Sequence, residues 1–440
     1  MTSTDNTCTE ANIYGHRIVA NEMTLTSLRD TLTASTAVEP RSFVFTAGTW
    51  AEGGVSVDAA NVTIDKYTTH GGSVTPIMNI LAADAGETGS VTNSTFNITN
   101  DPAALTGYID VIRFIAIPSA IASGNNITVR GANVGSAKGP ACDAAADCRH
   151  VRAIKSYSTS ALDSSGFIAD DNAITIEAAN GVMIAAGDDG TSAGDTYSAN
   201  GRISNNTLTC TNTGTSFHGV MFAWSQGGRG YGNKVIGCGI GLLSKGQPTQ
   251  GALFSGNILE DIWESYAYAK GSVGARFLHN NFAVSNTTGI PLVNGVDGAT
   301  NSTNTQFYNN SIFSTNGSTP ANLVNTASSQ TLAAADGNNW YGFTDPQWTY
   351  LGVAYTSLAA WNAVGVVGTD LAGDPDMVGG SAPRTWNGYR LGATSGLRRA
   401  GKDLNIGNYQ DCGNRAFLHP PSIGACESAS GDAATARTAR

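Results

Sequence analysis

The chain has little charge. Lys, Arg, Asp and Glu make up 13% of its 440 residues, and 24 basic side chains stand against 34 acidic ones, a net of −10. No run of Lys and Arg is present, which argues against nucleic acid or an anionic membrane surface as partner. Long apolar runs are missing too. The most apolar stretch, VIRFIAIPSAIA from residue 111, is too short to span a bilayer and carries Arg113, so no membrane insertion is expected. The opening MTSTDNTCTE has neither a basic nor an apolar signal region, so no signal peptide is expected in this chain. Leu, Glu, Lys and Arg, which long helices favour, are scarce. The 53 glycines, with abundant Thr, Ser, Asn and Ala, suit short strands joined by tight turns. Seven cysteines without metal-ligand spacing exclude a zinc site. Their odd count leaves at least one unpaired within the chain, while Cys142 with Cys148 and Cys412 with Cys426 can each close a small loop.

What is present is a repeat. Asn206, Asn233, Asn257, Asn281 and Asn310 recur at intervals of 27, 24, 24 and 29 residues, each followed two residues on by Leu208, Val235, Leu259, Ala283 or Ile312. A second column holds Phe222, Leu242, Tyr268, Leu292 and Leu323, an apolar file. A unit of about 24 residues with two or three short strands cannot bury its apolar side alone, so neighbours stack and share one core. The expected fold is all-β: a right-handed parallel β-helix of about 24 residues per coil. Asn tolerates the left-handed backbone of a tight corner, and amides stacked at one corner can bond in a ladder. Earlier rungs are expected at VSVDAANVTI (55), GSVTNSTFNI (89), NNITVRGANV (125) and GFIADDNAIT (166), the last with Asp171 in the amide position. Leu25, Leu28 and Leu32 fall on one helical face and predict a short helix capping the N-terminal end of the core. The expected organisation is an N-terminal segment with capping helix (1–40), a β-helix (41–335), a C-terminal end region (336–427) and a flexible tail (428–440).

Two segments carry a family resemblance. FVFTAGTWAEGGVSVDAANVTI, with Gly48, Thr49, Trp50, Ala51 and Glu52, resembles the first coil of pectin-active β-helix enzymes and their relatives. Trp361, Asp374, Pro375, Tyr389, Leu391, Gly413, Arg415, Gly424 and Glu427 follow the order seen in β-helix repeat proteins with a "choice-of-anchor" tail. SGLRRAG replaces that family's usual Ser-Pro-Ala-Ile-Asp phrase. The resemblance implies a pectate-lyase-like fold and a surface location, not a chemistry.

Chemistry has two candidate sources. Hydrolysis of a glycan needs two carboxylates across the scissile bond, and elimination from a uronate needs a base with a neutralising cation. The carboxylate clusters are Asp170 with Asp171, Asp188 with Asp189, and Glu260, Asp261 and Glu264. The bland reading places them all on solvated turns. Glu260 replaces uncharged residues in its file and is the first to test. Trp224, Tyr231 and Trp263, with Lys270, are candidates for a glycan-stacking strip, Trp224 aligning with Ser244, Lys270 and Asn294. No cofactor or metal is expected, calcium at the Gly-Asp-Pro-Asp turn being the one exception the sequence allows. The expected role is structural or adhesive, on a virion (a phage tailspike, fibre or capsid decoration) or otherwise extracellular, most simply as a homotrimer. Its partners would be host-surface polysaccharide or other virion proteins. The alternatives are a secreted polysaccharide lyase or glycoside hydrolase acting on an acidic polysaccharide, and a bacterial surface adhesin.

Overall fold

The computed structural model describes residues 17–20, 23–26, 43–47, 54–58, 61–67, 74–82, 88–100, 107–132, 149–158, 164–178, 180–187, 198–211, 217–247, 249–298, 300–404, 411–412 and 420–426. The chain divides into two compact units, Met1–Gly228 and Arg229–Arg440. Each is a parallel β-helix in which the chain visits three sheets in turn and then repeats.

In the first unit the first sheet stacks Arg17–Ala20, Phe43–Ala47, Val74–Ala82, Gly107–Ile115, Arg149–Tyr157, Asn180–Ala186 and Phe217–Ala223. The second runs from Met23–Thr26 through Gly54–Asp58, Thr88–Thr92, Ile121–Ser123 and Ile168–Asp170 to Arg202–Ser204. The third stacks Asn61–Tyr67, Thr95–Asn100, Asn126–Ala132, Ala173–Ala178 and Thr207–Thr211. The four early rungs expected from sequence therefore form. Most of the segment expected to form the capping helix lies outside the described residues, but Met23–Thr26, MTLT, is a strand paired in parallel with Val55–Asp58. Its period-two alternation with two β-branched threonines outweighs the leucine spacing. Leu28 and Leu32 lie outside the described residues, as do Cys142, Cys148, Asp188 and Asp189.

In the second unit each coil places its strands closely. The second sheet takes Arg229–Tyr231, Leu253–Ser255, Arg276–Leu278, Thr305–Tyr308 and Leu332–Asp336. The third takes Lys234–Ile236, Ile258–Glu260, Asn281–Val284, Ser311–Ser314 and Asn339–Tyr341. The first takes Ile240–Lys245, Ser265–Lys270, Ile290–Asp297, Val324–Thr326 and Trp348–Tyr350, and ends in an antiparallel hairpin with Val353–Tyr355. Register builds the core as files. Val235, Leu259, Phe282, Ile312 and Trp340 stack on the third sheet, all buried. Leu242, Ala267, Leu292, Val324 and Trp348 stack on the first. Phe254 and Phe277 lie parallel with centroids 5.2 Å apart. Two sequence expectations shift by one residue here. Ala267 and Val324, not Tyr268 and Leu323, occupy the inner file, so the Tyr268 side chain falls on the outer face and is half-exposed.

The amide ladder exists, in a more exact form than the repeat alone suggests. Each corner has two residues with different duties. Asn93, Gly124, Asp171, Asn205, Gly232, Gly256, His279, Asn309 and Gly337 have φ between 50° and 67°, in the left-handed region. The residue after each bears the ladder contact. In the first unit Asn125 donates from its backbone N and Nδ2 to Asn172 Oδ1, and Asn172 donates likewise to Asn206 Oδ1, at 2.9–3.1 Å. In the second unit Asn233 donates in this way to Asn257, Asn257 to Asn280, Asn280 to Asn310, and Asn310 to Asn338. The other Nδ2 hydrogen reaches a strand carbonyl, as from Asn257 to Gly230 O and from Asn310 to Phe277 O.

Asp171 is thus a corner residue, and Asn172 is the rung. Asn281 is not in the ladder; Asn280 is. The sequence HNN permits two frames, and the +2 apolar residue selected the wrong one. Asn281 opens the third-sheet strand and faces outward, where its Oδ1 accepts from Ala425 N at 3.2 Å.

The ladder ends on a carboxylate. Asn338 donates its N and Nδ2 to Asp370 Oδ1 at 2.8 and 3.1 Å, while Trp340 Nε1 and Trp361 Nε1 each donate to Oδ2 at 2.9 Å. Trp361 sits on a short helix, Leu358–Asn362, capped by Ser357, and stacks on Trp348 at 6.1 Å. This helix closes the core of the second unit. An amide at position 370 would set its NH2 against two indole donors. Asp370→Asn is therefore expected to destabilise the second unit by about 3 kcal/mol in chemical denaturation. A change at the exposed Gln250→Ala should stay below about 0.5 kcal/mol.

Candidate functional site

The third-sheet strand Ile258–Glu260 leads through Asp261, at φ 55°, into a turn that reaches Ser265–Lys270. Ile262 points into the core, and the turn is pinned to the preceding coil by Trp263 N to Cys238 O (3.0 Å) and Glu264 N to Gly239 O (2.8 Å). Trp263, on this turn between Asp261 and Glu264 in sequence, is 50% exposed. Glu260, Asp261, Trp263 and Glu264 are thus brought onto one turn.

Glu260 is buried. Lys234 Nζ, also buried, lies 2.8 Å from its Oε1, and Arg384 Nη1 lies 3.5 Å from Oε2 and 3.0 Å from Asp261 Oδ2. Lys234 also donates to the Arg384 carbonyl. The residues around Arg384 belong to a C-terminal segment that returns across the third sheet of the second unit. Ile258, Ala283 and Phe313 of the sheet pack there against Met377, Tyr389, Cys412, Ala425 and Cys426. Burial first, and the Glu260 carboxylate second, raise the Tyr389 hydroxyl well above its ordinary value. The odd charge that distinguished Glu260 in the sequence is therefore matched by Lys234 one coil earlier and Arg384 across the interface. Lys234 stands opposite Ile258 and Glu260 opposite Ile236, so the two meet diagonally on one face, a relation visible only once the register is known.

The other candidates are dispersed. Asp170 Oδ1 accepts from Ser204 Oγ at 2.6 Å and Asn205 Nδ2 at 2.9 Å. Asp58 does the same with Thr92 and Asn93, so this is a repeating corner device of the first unit. Trp224, also in the first unit, is half-buried with φ 52°. Its supposed column is mixed in character, since Ser244 is buried and pairs with Ala269, while Lys270 pairs with Lys245 and Gly295. Tyr231 lies on the second sheet beside Ser255. Lys270 stands at the far end of the strand that Trp263 precedes, roughly 20 Å along at about 3.3 Å per residue. Tyr231 and Lys270 therefore do not share a strip with Trp263. Tyr268 covers Gly295, where a Cβ would meet its hydroxyl at 2.4 Å. Burial, then Glu264 and Asp297, push it up to about 12.

The Gly-Asp-Pro-Asp turn is internally bonded. Asp374 accepts from Tyr341 OH (2.9 Å) and Asp376 N (2.8 Å), and Asp376 accepts from Thr394 Oγ1. Among the described residues no group of three His, Cys, Asp or Glu side chains is placed to hold a metal. Cys412 and Cys426 form a disulfide, Cα–Cα 5.0 Å, within the returning segment. Gly424 explains itself: its φ is 103°, and a Cβ there would meet Asn281 Oδ1 at 2.4 Å.

Glu260→Ala would leave Lys234 buried beside no carboxylate. It is expected to cost about 3 kcal/mol and to speed proteolysis within residues 371–404. Asp261→Asn, which keeps a residue tolerant of the left-handed corner and touches only the exposed side of Arg384, should cost under about 1 kcal/mol. Compared with known proteins, the chain matches no family model and no curated protein.

Proposed function

We propose that this is a structural or adhesive β-helix of an extracellular or virion surface, of the phage tailspike, fibre or capsid-decoration kind, acting as a homotrimer and contacting host glycans. The pectate-lyase-like and choice-of-anchor resemblance in the sequence agrees with that assignment. The observation that carries it is the engagement of Glu260. The most distinctive carboxylate in the repeat is occupied by Lys234 and Arg384 and holds a segment of the chain in place. A general acid or nucleophile must instead face the substrate.

The adhesive half of the reading rests on Trp263. A half-exposed indole offers a flat apolar face to a sugar ring. Parallel coils present such a turn on a rigid scaffold, so recognition needs little ordering on binding.

The test uses capsular, lipopolysaccharide and uronate glycans, following chain length, unsaturated product and retention on the immobilised glycan. The expected result is retention without cleavage, weakened about tenfold or more by Trp263→Ala with the denaturation midpoint unchanged. Shortened or unsaturated products that disappear in Glu264→Gln would instead establish the lyase or hydrolase.

A further inference from the structure

One buried ionisable side chain in the second unit belongs neither to the ladder nor to the glycan surface. His279 takes the left-handed corner position, φ 53°, that Gly256 takes one coil before and Asn309 takes one coil after. Its ring is 1% exposed and sits beneath the returning C-terminal segment. Nδ1 lies 3.3 Å from Ser422 O, and Nε2 lies 3.1 Å from Asn309 Nδ2. A carbonyl can only accept, so Nδ1 carries the hydrogen and Nε2 is the acceptor of the neutral ring.

The Asn309 amide cannot adapt to a second ring proton. Its Nδ2 also donates to Lys402 O at 2.8 Å, and its Oδ1 accepts from Lys402 N at 2.8 Å. An Nε2–H would face an N–H of this amide. Turning the amide over would only move the donor–donor clash to Lys402 N. Neighbouring contacts dock the segment: Gly424 N donates to Asn309 O at 2.7 Å, and Ala425 N to Asn281 Oδ1 at 3.2 Å.

We propose that His279 is an acid-labile latch: its protonation releases the C-terminal cover, described at residues 399–404, 411–412 and 420–426, from the third sheet while the coils beneath stay stacked. The part of the Ile258, Ala283 and Phe313 face that Cys412, Ala425 and Cys426 pack against is then uncovered, while Met377 and Tyr389 stay in place. The coils beneath the cover persist because their rungs, Asn257, Asn280 and Asn310, are amides, which do not titrate.

The ionisable groups on the surrounding segments are Arg276 on the strand before the ring, Tyr308 and Asp336 on later strands of that sheet, and Arg399, Lys402, Asp403 and the buried Asp411 on the cover. Lys402 Nζ pairs with Asp336 at 2.7 Å and lies over the Tyr308 ring at 5.4 Å. That pair is open to solvent, so it contributes little to docking.

Burial lowers the His279 ring to about 4, the bond to Ser422 opposing this. A released ring returns to about 6.5. Between these values the open form takes up a proton that the docked form refuses, so docking is fully stable above about 6.5 and weakens as pH falls towards 4. The open population should rise about 20-fold from pH 7 to pH 5.

Hydrogen exchange of Gly424 and Ala425, corrected for the intrinsic pH dependence of exchange, measures this opening in the full, disulfide-intact chain. The expected result is that 20-fold rise, with far-UV circular dichroism unchanged. His279→Asn, which keeps a residue suited to the left-handed corner, should lose the rise and vary less than about threefold. An equal pH slope in the variant, or none in the native chain, overturns the latch. Should the variant fail to dock its cover at pH 7, the native ring is titrated directly by NMR: a ring neutral to below pH 5 supports the latch, and titration near 6.5 overturns it.

Discussion

The need to pair a buried amide at every coil corner organises this protein. A parallel β-helix bends its backbone sharply where the second sheet meets the third, and the polar groups at that bend are shut away from water. The chain meets the need by dividing the corner between two residues. One accepts the left-handed backbone; the next turns its amide inward and accepts both N–H groups of the rung before it. Such an array is satisfied at every internal rung and unsatisfied only where it stops. In the second unit it stops on Asp370, whose carboxylate accepts without needing to donate, and whose second oxygen fixes the two tryptophans that close the core. Burial raises this carboxyl, and its four N–H partners oppose the rise.

The same constraint frees the rest of the coil. Successive rungs of the second unit are separated by 24, 23, 30, 28 and 32 residues, yet the hydrogen bonds between them keep one geometry. Length variation is absorbed at the other corners, where exposed turns such as that of Trp263 form. Recognition can therefore vary in loops while register is held at one edge. The outer face of the third sheet follows a different chemistry. There the returning segment is held by the ion pair of Arg384 with Glu260 and by a buried imidazole, with a disulfide inside the segment, beside a ladder whose internal rungs are amides.

Much of this was legible in the sequence, and the limits are instructive. Period, strand order and the amide ladder followed from Asn206, Asn233, Asn257 and Asn310 with their apolar partners. The failures were one-residue errors of register at Asn281, Asp171 and Tyr268. The first two arose where a neighbour could fill either corner role, because His279 and Asp171 are less usual left-handed residues than glycine or asparagine. A slip of one residue inverts the face, so Tyr268 moved from core to surface. Glu260 was recognised as exceptional but not understood, since its partners lie 26 residues before it and 124 after it. Asp370 was passed over because an acid in a turn carries no periodic signal. Neither Lys234 nor Asp370 acquires its meaning until the coils are stacked.

The most direct test of the account is hydrogen exchange at the corner itself. The backbone N–H groups of Asn257, Asn280, Asn310 and Asn338 each donate to the amide or carboxylate of the next coil. In the native chain they should exchange only by global unfolding of the second unit, at one common rate that follows its stability. Exchange at these four positions as fast as in exposed turns, or protection of Asn281 Nδ2 in place of Asn280 Nδ2, would contradict the ladder and the register built on it.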